Sequence, residues 1–284
     1  MSGPARLLTI VDAEFALDGG SMMGVVPRAL WQKQHPPDAR NRIPLVSRFA
    51  VVDDPGAGRL WLLDCGLGRD WSPKQLDLYD IRPRGADARA LLRDAGFDPD
   101  SVTDVVLTHL HFDHAGGLAK RDAAGKLTLA FPAARHHVQA SHLAWARSPT
   151  AKDAGSFRAD HVALLEASGR VNPVDGSASL GGAVAVRALR GHTPGLQLPL
   201  VEADGGPYLF LADLVPVWSH LRLPWIMAYD NEPLVTLEEK RALLEEAASR
   251  GWVLISEHDP SEAMKTLERA TGDIKRAGHG SNAK

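Results

Sequence analysis

The chain predicts an α+β fold, with sheets inside and helices outside, organised as one elaborated domain. Short apolar, β-branched runs recur along its 284 residues, and segments with helical caps lie between them. No repeat, low-complexity tract or linker divides the whole. Hydrophobic residues at 44% and charged residues at 24% fit a folded chain long enough to bury a substantial core.

Taken in order, the runs "LLTIV", "SRFAVV", "LWLLD", "VTDVVLT", "AVAVRAL" and "PYLFLAD" read as strands, several of them bounded by Gly, Pro or Asp. "TLEEKRALLEEAASRG" reads as a helix. Thr236 stands at its N-cap with Glu239 in the capping-box position, Leu237, Leu243 and Leu244 form its apolar stripe, and Gly251 ends it. "WVLIS" follows as a buried strand. "DPSEAMKTLERATG" repeats the helical grammar, with Asp259 as N-cap, Pro260 in the first turn and Gly272 as terminator. Residues 27–44 and 132–175 read as elaborations on the core, and 273–284 as a frayed tail. The first of these, with Trp31 and its prolines, suits an interface arm of a homodimer or a pocket lid.

A formal charge of −3 provides no basic field for nucleic acid, so a small substrate is expected. The single cysteine, Cys65, excludes an intramolecular disulfide framework. Before its first apolar run the N-terminus carries one basic residue, and Asp12 and Glu14 interrupt that run. Neither an export signal nor a membrane span is expected, and a cytoplasmic location is.

The chemistry concentrates in "THLHFDHAGG", residues 108–117. In an extended chain His109 and His111 point to the same face, which suits a metal-binding pair. Asp113 and His114 follow where the chain must turn, and Gly116 with Gly117 permits close backbone approach. Further candidates stand at the ends of later strands: His192 in "LRGHTPG", Asp213 in "YLFLAD" and His258 in "VLISEHDP". Five histidines and two carboxylates result. The remaining histidines, including His136 and His137, read as surface residues.

This pattern resembles the metallo-β-lactamase superfamily, whose motif HxHxDH is followed by a distant His, Asp and His. "LLDCG" is similar to the superfamily's strand ending in Asp-Thr-Gly, with Asp64 supporting the ligands and Cys65 replacing threonine. "GVVPRALWQKQHPPDARNRIPLVSR" and "DLVPVWSHLRLPWIMAYD" resemble the branch of quorum-quenching N-acyl-homoserine lactonases. The resemblance implies a four-layer αββα sandwich. It also implies two divalent ions, zinc foremost with iron, manganese or cobalt as alternatives, one held by His109, His111 and His192 and the other by Asp113, His114 and His258. Asp213 bridges them.

The implied reaction is attack of a metal-bridging hydroxide on a lactone carbonyl, with Asp113 as the catalytic residue that orients the hydroxide and passes a proton to the departing oxygen. Counting the ions, Asp113, Asp213 and the hydroxide leaves the site net positive, as an oxyanion requires. Met22, Met23 and Phe112 are candidates for the substrate pocket. Lactonases of this branch carry a tyrosine three residues after the bridging aspartate, where this chain has Pro216. His220 and Tyr229 are the nearby candidates to orient the substrate.

Competing readings are a phosphotriester or other ester hydrolase, which would need an aromatic leaving-group pocket, and a β-lactamase, for which no basic residue to grip a carboxylate stands out. A non-catalytic metal-binding protein and a redox di-iron protein are the others. RNA processing is disfavoured by charge.

Overall fold

The computed structural model describes residues 3–269 and 274–277. Its strands are β1 (Arg6–Asp18), β2 (Arg42–Asp54), β3 (Arg59–Leu63), β4 (Arg82–Pro83), β5 (Asp104–Val106), β6 (Ala119–Arg121), β7 (Leu127–Leu129), β8 (Arg135–Gln139) and β9 (Val171–Val174). Then come β10 (Ala178–Gly181), β11 (Val184–Leu189), β12 (Leu196–Ala203), β13 (Gly206–Phe210), β14 (Val253–Ile255), β15 (Met264–Arg269) and β16 (Ile274–Ala277). One seven-stranded sheet runs β4-β1-β2-β3-β5-β8-β9 and a second runs β10 to β16 in sequence order, while β6 and β7 form a separate ribbon. The helices are α1 (Gly19–Met23), α2 (Arg28–Trp31), α3 (Pro73–Leu78), α4 (Ala88–Asp94), α5 (Phe112–Ala115), α6 (Ala140–Arg147), α7 (Ala159–Ala167) and α8 (Pro233–Arg250).

Period-2 alternation produces the layers. In β2, β3 and β5, Ala50, Val52, Trp61, Leu63 and Val106 face inward and pack with Val186, Leu198, Leu209 and Leu254 of the other sheet. Their neighbours Phe49, Val51, Leu62 and Val105 face outward, under Leu92 of α4, Leu143 of α6 and Leu165 of α7. Leu243, Leu244 and Ala247 of α8 close the opposite side. The αββα sandwich is therefore present. Parallel pairing of β3 with β5, and of β13 with β14, brings the C-terminal ends of those strands to one edge. The chain leaves them towards Asp64, His109, Asp213 and His258.

Several local expectations are corrected. Helix α8 begins at Pro233, with Glu232 in the cap position and no side-chain cap, although Gly251 ends it in the left-handed conformation as expected. Thr236 is a buried residue inside the helix. Glu239 instead accepts the backbone N–H groups of Arg190 and Gly191 at 2.9 and 3.0 Å, which steadies the turn before His192.

The segment after Asp259 is strand rather than helix. Asp259 accepts from Ser261 N in a turn, and Met264–Arg269 pairs antiparallel with β14, so long-range pairing overrides the local cap signals. Gly272 lies outside the described residues, as does the expected tail apart from 274–277. Residues 132–175, expected as an elaboration, contribute β8 and β9 to the first sheet. In 27–44, Trp31 is buried against Phe15, Met22 and Trp225, so it anchors the segment to the body. His136 and His137 are buried, not on the surface: their strand is internal to the sheet, and His137 meets Asp104 at 2.7 Å.

Candidate metal centre

The turn that carries the histidine cluster is possible because its glycines have no side chain. A Cβ on Gly116 would stand 2.1 Å from Leu67 O, and one on Gly117 would stand 2.0 Å from Cys65 O. The close approach expected from the sequence is thus made against the chain leaving β3. There Asp64 adopts a left-handed backbone (φ 59°), and Ala212, before Asp213, does the same (φ 41°). Non-glycine residues held in that region mark places where the fold imposes a position.

All seven sequence-selected residues converge and are buried, none exposing more than 7% of its surface. In one group, His111 Nδ1 lies 3.0 Å from His109 Nε2 and 3.3 Å from His192 Nε2. Asp213 Oδ2 stands 3.7 and 3.1 Å from those two Nε2 atoms. In the other, His114 Nε2 and His258 Nε2 are 3.1 Å apart. Asp213 Oδ1 lies 3.4 and 3.2 Å from them, and Asp113 3.9 and 3.7 Å. One carboxylate therefore turns one oxygen to each group.

The outer nitrogens explain what the inner ones carry. Thr108 Oγ1 donates to Asp64 Oδ2 (2.6 Å) and so accepts from His109 Nδ1 (3.1 Å). His192 Nδ1 donates to Asp230 (2.7 Å), and His258 Nδ1 donates to the Val46 carbonyl (2.9 Å). His114 Nδ1 faces Asp64 Oδ2 and Glu257 Oε2 at 3.1 and 2.9 Å. With these four outer nitrogens holding the proton when the ring is neutral, and His111 turning Nδ1 inward while its Nε2 is buried without a hydrogen-bond partner, the inner nitrogens turn lone pairs towards one another. Lone pairs about 3 Å apart repel unless a cation sits among them. Ligand atoms about 2.0–2.1 Å from a tetrahedral ion are themselves about 3.3 Å apart, close to the separations found. The residues fit two metal ions.

Electrostatics agree with a cation-hungry site. Burial and the neighbouring imidazoles hold His109 well below the usual histidine range. Burial also opposes charge on His192, but Asp213 and Asp230 outweigh it and raise its pKa to about 9, so that without metal a proton on Nε2 supplies the positive charge that a cation would bring. Burial pushes the Glu257 carboxyl up to about 8. Glu257 is therefore mostly protonated at neutral pH, while Asp64 and Asp230, also buried beside the imidazoles, are two carboxyl groups that the sum over Asp113 and Asp213 left out. Asp230 and Glu257 were missed because each acts through a histidine distant in sequence, although Glu257 adjoins His258.

Over this floor lies a cavity of about 230 Å³. Its walls are Leu17, Met22, Phe112, Met227, Tyr79 and Tyr229, and Gly155 with Ser156 contributes a rim. Tyr79 stacks on Phe112 at 5.0 Å, and Trp71 meets both rings edge-on. Phe157 packs its ring on His111 at 4.8 Å. Lys152 Nζ donates to Tyr229 O at 2.6 Å. Among the described residues no lysine or arginine lines the cavity.

Two pocket expectations are corrected. His220 is buried away from the cavity and donates through Nε2 to Met22 O at 2.9 Å, which supports α1 from below. Met23 is fully buried in the adjoining apolar cluster, because it follows Met22 on a helix and so points about 100° away from it. Tyr79 and Met227 had no distinguishing local signal.

An N-acyl homoserine lactonase, AttM, of Azorhizobium caulinodans is 27% identical over 191 residues, covering 64% of this chain and 67% of that protein. Among solved structures, a probable metal-dependent hydrolase from Staphylococcus aureus superposes with a TM-score of 0.87 at 24% identity, over 99% of both chains. AidC, a dizinc quorum-quenching lactonase in complex with the product N-hexanoyl-L-homoserine, gives 0.79 at 18% identity, over 98% of this chain and 96% of that one. The sequence pattern of the Metallo-beta-lactamase superfamily matches residues 44–258, from β2 through the last of the seven clustered residues. With the sandwich, the paired clusters and this match in agreement, the chain belongs to the Metallo-beta-lactamase superfamily.

Proposed function

We propose that the protein is a metal-dependent hydrolase that opens a lactone, with N-acyl-homoserine lactones as the substrate class. The observation that carries this reading is a cavity with apolar and aromatic walls, lined by no lysine or arginine among the described residues, ending on a floor of converging imidazole nitrogens and a shared carboxylate. A neutral ester with an apolar acyl group matches both parts. The similarity to AttM, and the fold shared with AidC, support the same choice.

His109, His111, His192 and Asp213 would hold one ion, and Asp113, His114, His258 and Asp213 the other. Nitrogen and oxygen donors without thiolate suit zinc. When bound, the ions supply Lewis acidity, which lowers the pKa of water and polarises a carbonyl. The chain's own residues do the rest. Asp113 lines the cavity, where its carboxylate takes a proton from the attacking water and returns it to the ring oxygen as the ring C–O bond breaks. Tyr229 lines the cavity, and burial raises its phenol to about 12, so the O–H stays protonated at neutral pH and would donate to the substrate carbonyl. Met22, Met227 and Phe112 exclude water around the acyl group.

A second reading, hydrolysis of aryl phosphotriesters, draws on the Tyr79–Phe112–Trp71 aromatic cluster beside the same floor. The deciding experiment pairs elemental analysis with pH-indicator hydrolysis of N-hexanoyl-homoserine lactone and a paraoxon-like triester, wild type against Asp113→Ala. Two ions per chain and lactone turnover lost in the variant are expected. Turnover of the triester alone moves the assignment to the second reading, and absence of bound metal overturns both.

A further inference from the structure

We infer that three successive residues of β2, Val46, Ser47 and Arg48, brace Asp113 and His258 in the cluster they form with His114, and that Arg48 is the positioning residue on which retention of its ion depends. The inference rests on the two-ion reading of the site, not on the choice of substrate.

Each of the three residues ties down a different part of that cluster. Val46 exchanges two bonds with His258: its N–H donates to the His258 carbonyl at 3.1 Å, and its carbonyl accepts from Nδ1 at 2.9 Å. The Ser47 hydroxyl donates to the Asp113 carbonyl at 2.9 Å. The Arg48 guanidinium donates to the carbonyls of Ser256, Glu257 (3.4 Å) and Asp259 (3.1 Å), which bracket His258 on both sides. Successive side chains of a strand point to opposite faces, so Ser47 and Arg48 reach two loops whose other tie is the contact of His114 Nδ1 with Glu257 at 2.9 Å. The outer ties of His109 and His192 run elsewhere, to Thr108 and Asp230. The two clusters thus share Asp213, and Thr108 with Asp64 reaches both His109 and His114, whereas Asp230 holds only the first cluster and Arg48 only the second.

Arg48 is 4% exposed. Burial lowers its pKa to about 10, with Asp259 and Glu257 opposing, and it remains a cation at neutral pH. A planar guanidinium with five donors satisfies several fixed carbonyls at once, which a single ammonium centre cannot reproduce. Without it, three buried carbonyls lose a donor and the 256–259 loop is free to relax. Metal–ligand distances tolerate only about 0.2 Å, so a small relaxation at His258 Nε2 weakens one ion and leaves the other in place.

The test is competition of zinc-loaded protein with a graded chelator, read as ions retained per chain, for wild type, Arg48→Met and Arg48→Lys. Thermal unfolding of the metal-free forms reports folding. Wild type is expected to hold two ions. Arg48→Met is expected to keep one at wild-type affinity and to hold the second about 10- to 100-fold more weakly, with Arg48→Lys in between. Folded Arg48→Met that holds both ions like wild type, or loses both in one step, overturns the inference while leaving the two-ion reading intact. A wild type that binds fewer than two ions overturns both. If Arg48→Met does not fold, Ser47→Ala decides, since it removes only the bond to Asp113 O. Selective weakening of one ion supports the inference, and unchanged affinity overturns it.

Discussion

Asp230 offers the sharpest test of how the other cluster is held. It is 4% exposed and accepts from His192 Nδ1 at 2.7 Å, fixing the ring with Nε2 turned inward. In Asp230→Asn the amide oxygen still accepts from Nδ1, so the loss is the difference between a hydrogen bond to a charged acceptor and one to a neutral acceptor. That difference is roughly 1–1.5 kcal/mol, or about 5- to 12-fold in affinity for one ion. Asp230→Ala removes the acceptor and leaves a buried N–H unsatisfied, about 1.5–3 kcal/mol and about 10- to 140-fold. Chelator competition should therefore rank wild type, asparagine and alanine in that order, with one ion affected and one unchanged. Combining Asp230→Ala with Arg48→Met should leave no tightly held ion, because each variant strikes a different cluster. Equal affinities across the series, or one tight ion surviving in the double variant, would refute the assignment of Asp230 and Arg48 to different ions.

Further outcomes follow from the same structure. Tyr229→Phe should lower kcat for a lactone about 10- to 100-fold with little change in KM, the size expected for a hydrogen bond to developing charge; equal kcat in steady-state assays would remove Tyr229 from the reaction. Gly117→Ala places a Cβ 2.0 Å from Cys65 O and should cost about 3 kcal/mol or prevent folding, which a shift in denaturant midpoint will show.

The metal-free protein should be most stable near pH 6.5. Burial lowers His136 and His142 to about 4 and His220 to about 3, so the unfolded chain takes up protons first and stability falls as pH drops from 6.5 towards 4. His192, raised to about 9, binds its proton more tightly when folded, so its contribution is lost as pH rises from 6.5 through 9. His220→Gln removes one of these three groups and should make the acid limb, but not the alkaline one, shallower in denaturant titrations across pH, and a flat wild-type profile would refute the assignment.

The sequence by itself determined what depends on near neighbours. Apolar, β-branched runs predicted β1, β2, β3, β5, β11, β13 and β14, since such a run is a property of a few consecutive residues, whereas β8, β9, β10 and β12 carried no run that was read as a strand. The compact spacing of His109, His111, Asp113 and His114 predicted the centre of the site because a strand end and a glycine turn bring those side chains together without distant help. Gly251 likewise marked the end of α8, where the backbone turns left-handed. Tertiary structure alone decided whatever depends on pairing across the chain. Met264–Arg269 became a strand because β14 offered it an edge, although its sequence carried helical caps. Glu239 left the capping role that its spacing suggested and took up the turn before His192. Asp230, Glu257 and Arg48 became supports of the metal ligands through contacts spanning 38, 143 and 208 residues or more, except where Glu257 adjoins His258. Such contacts leave no periodic trace in sequence, because a buried polar group is specified by its partner in space.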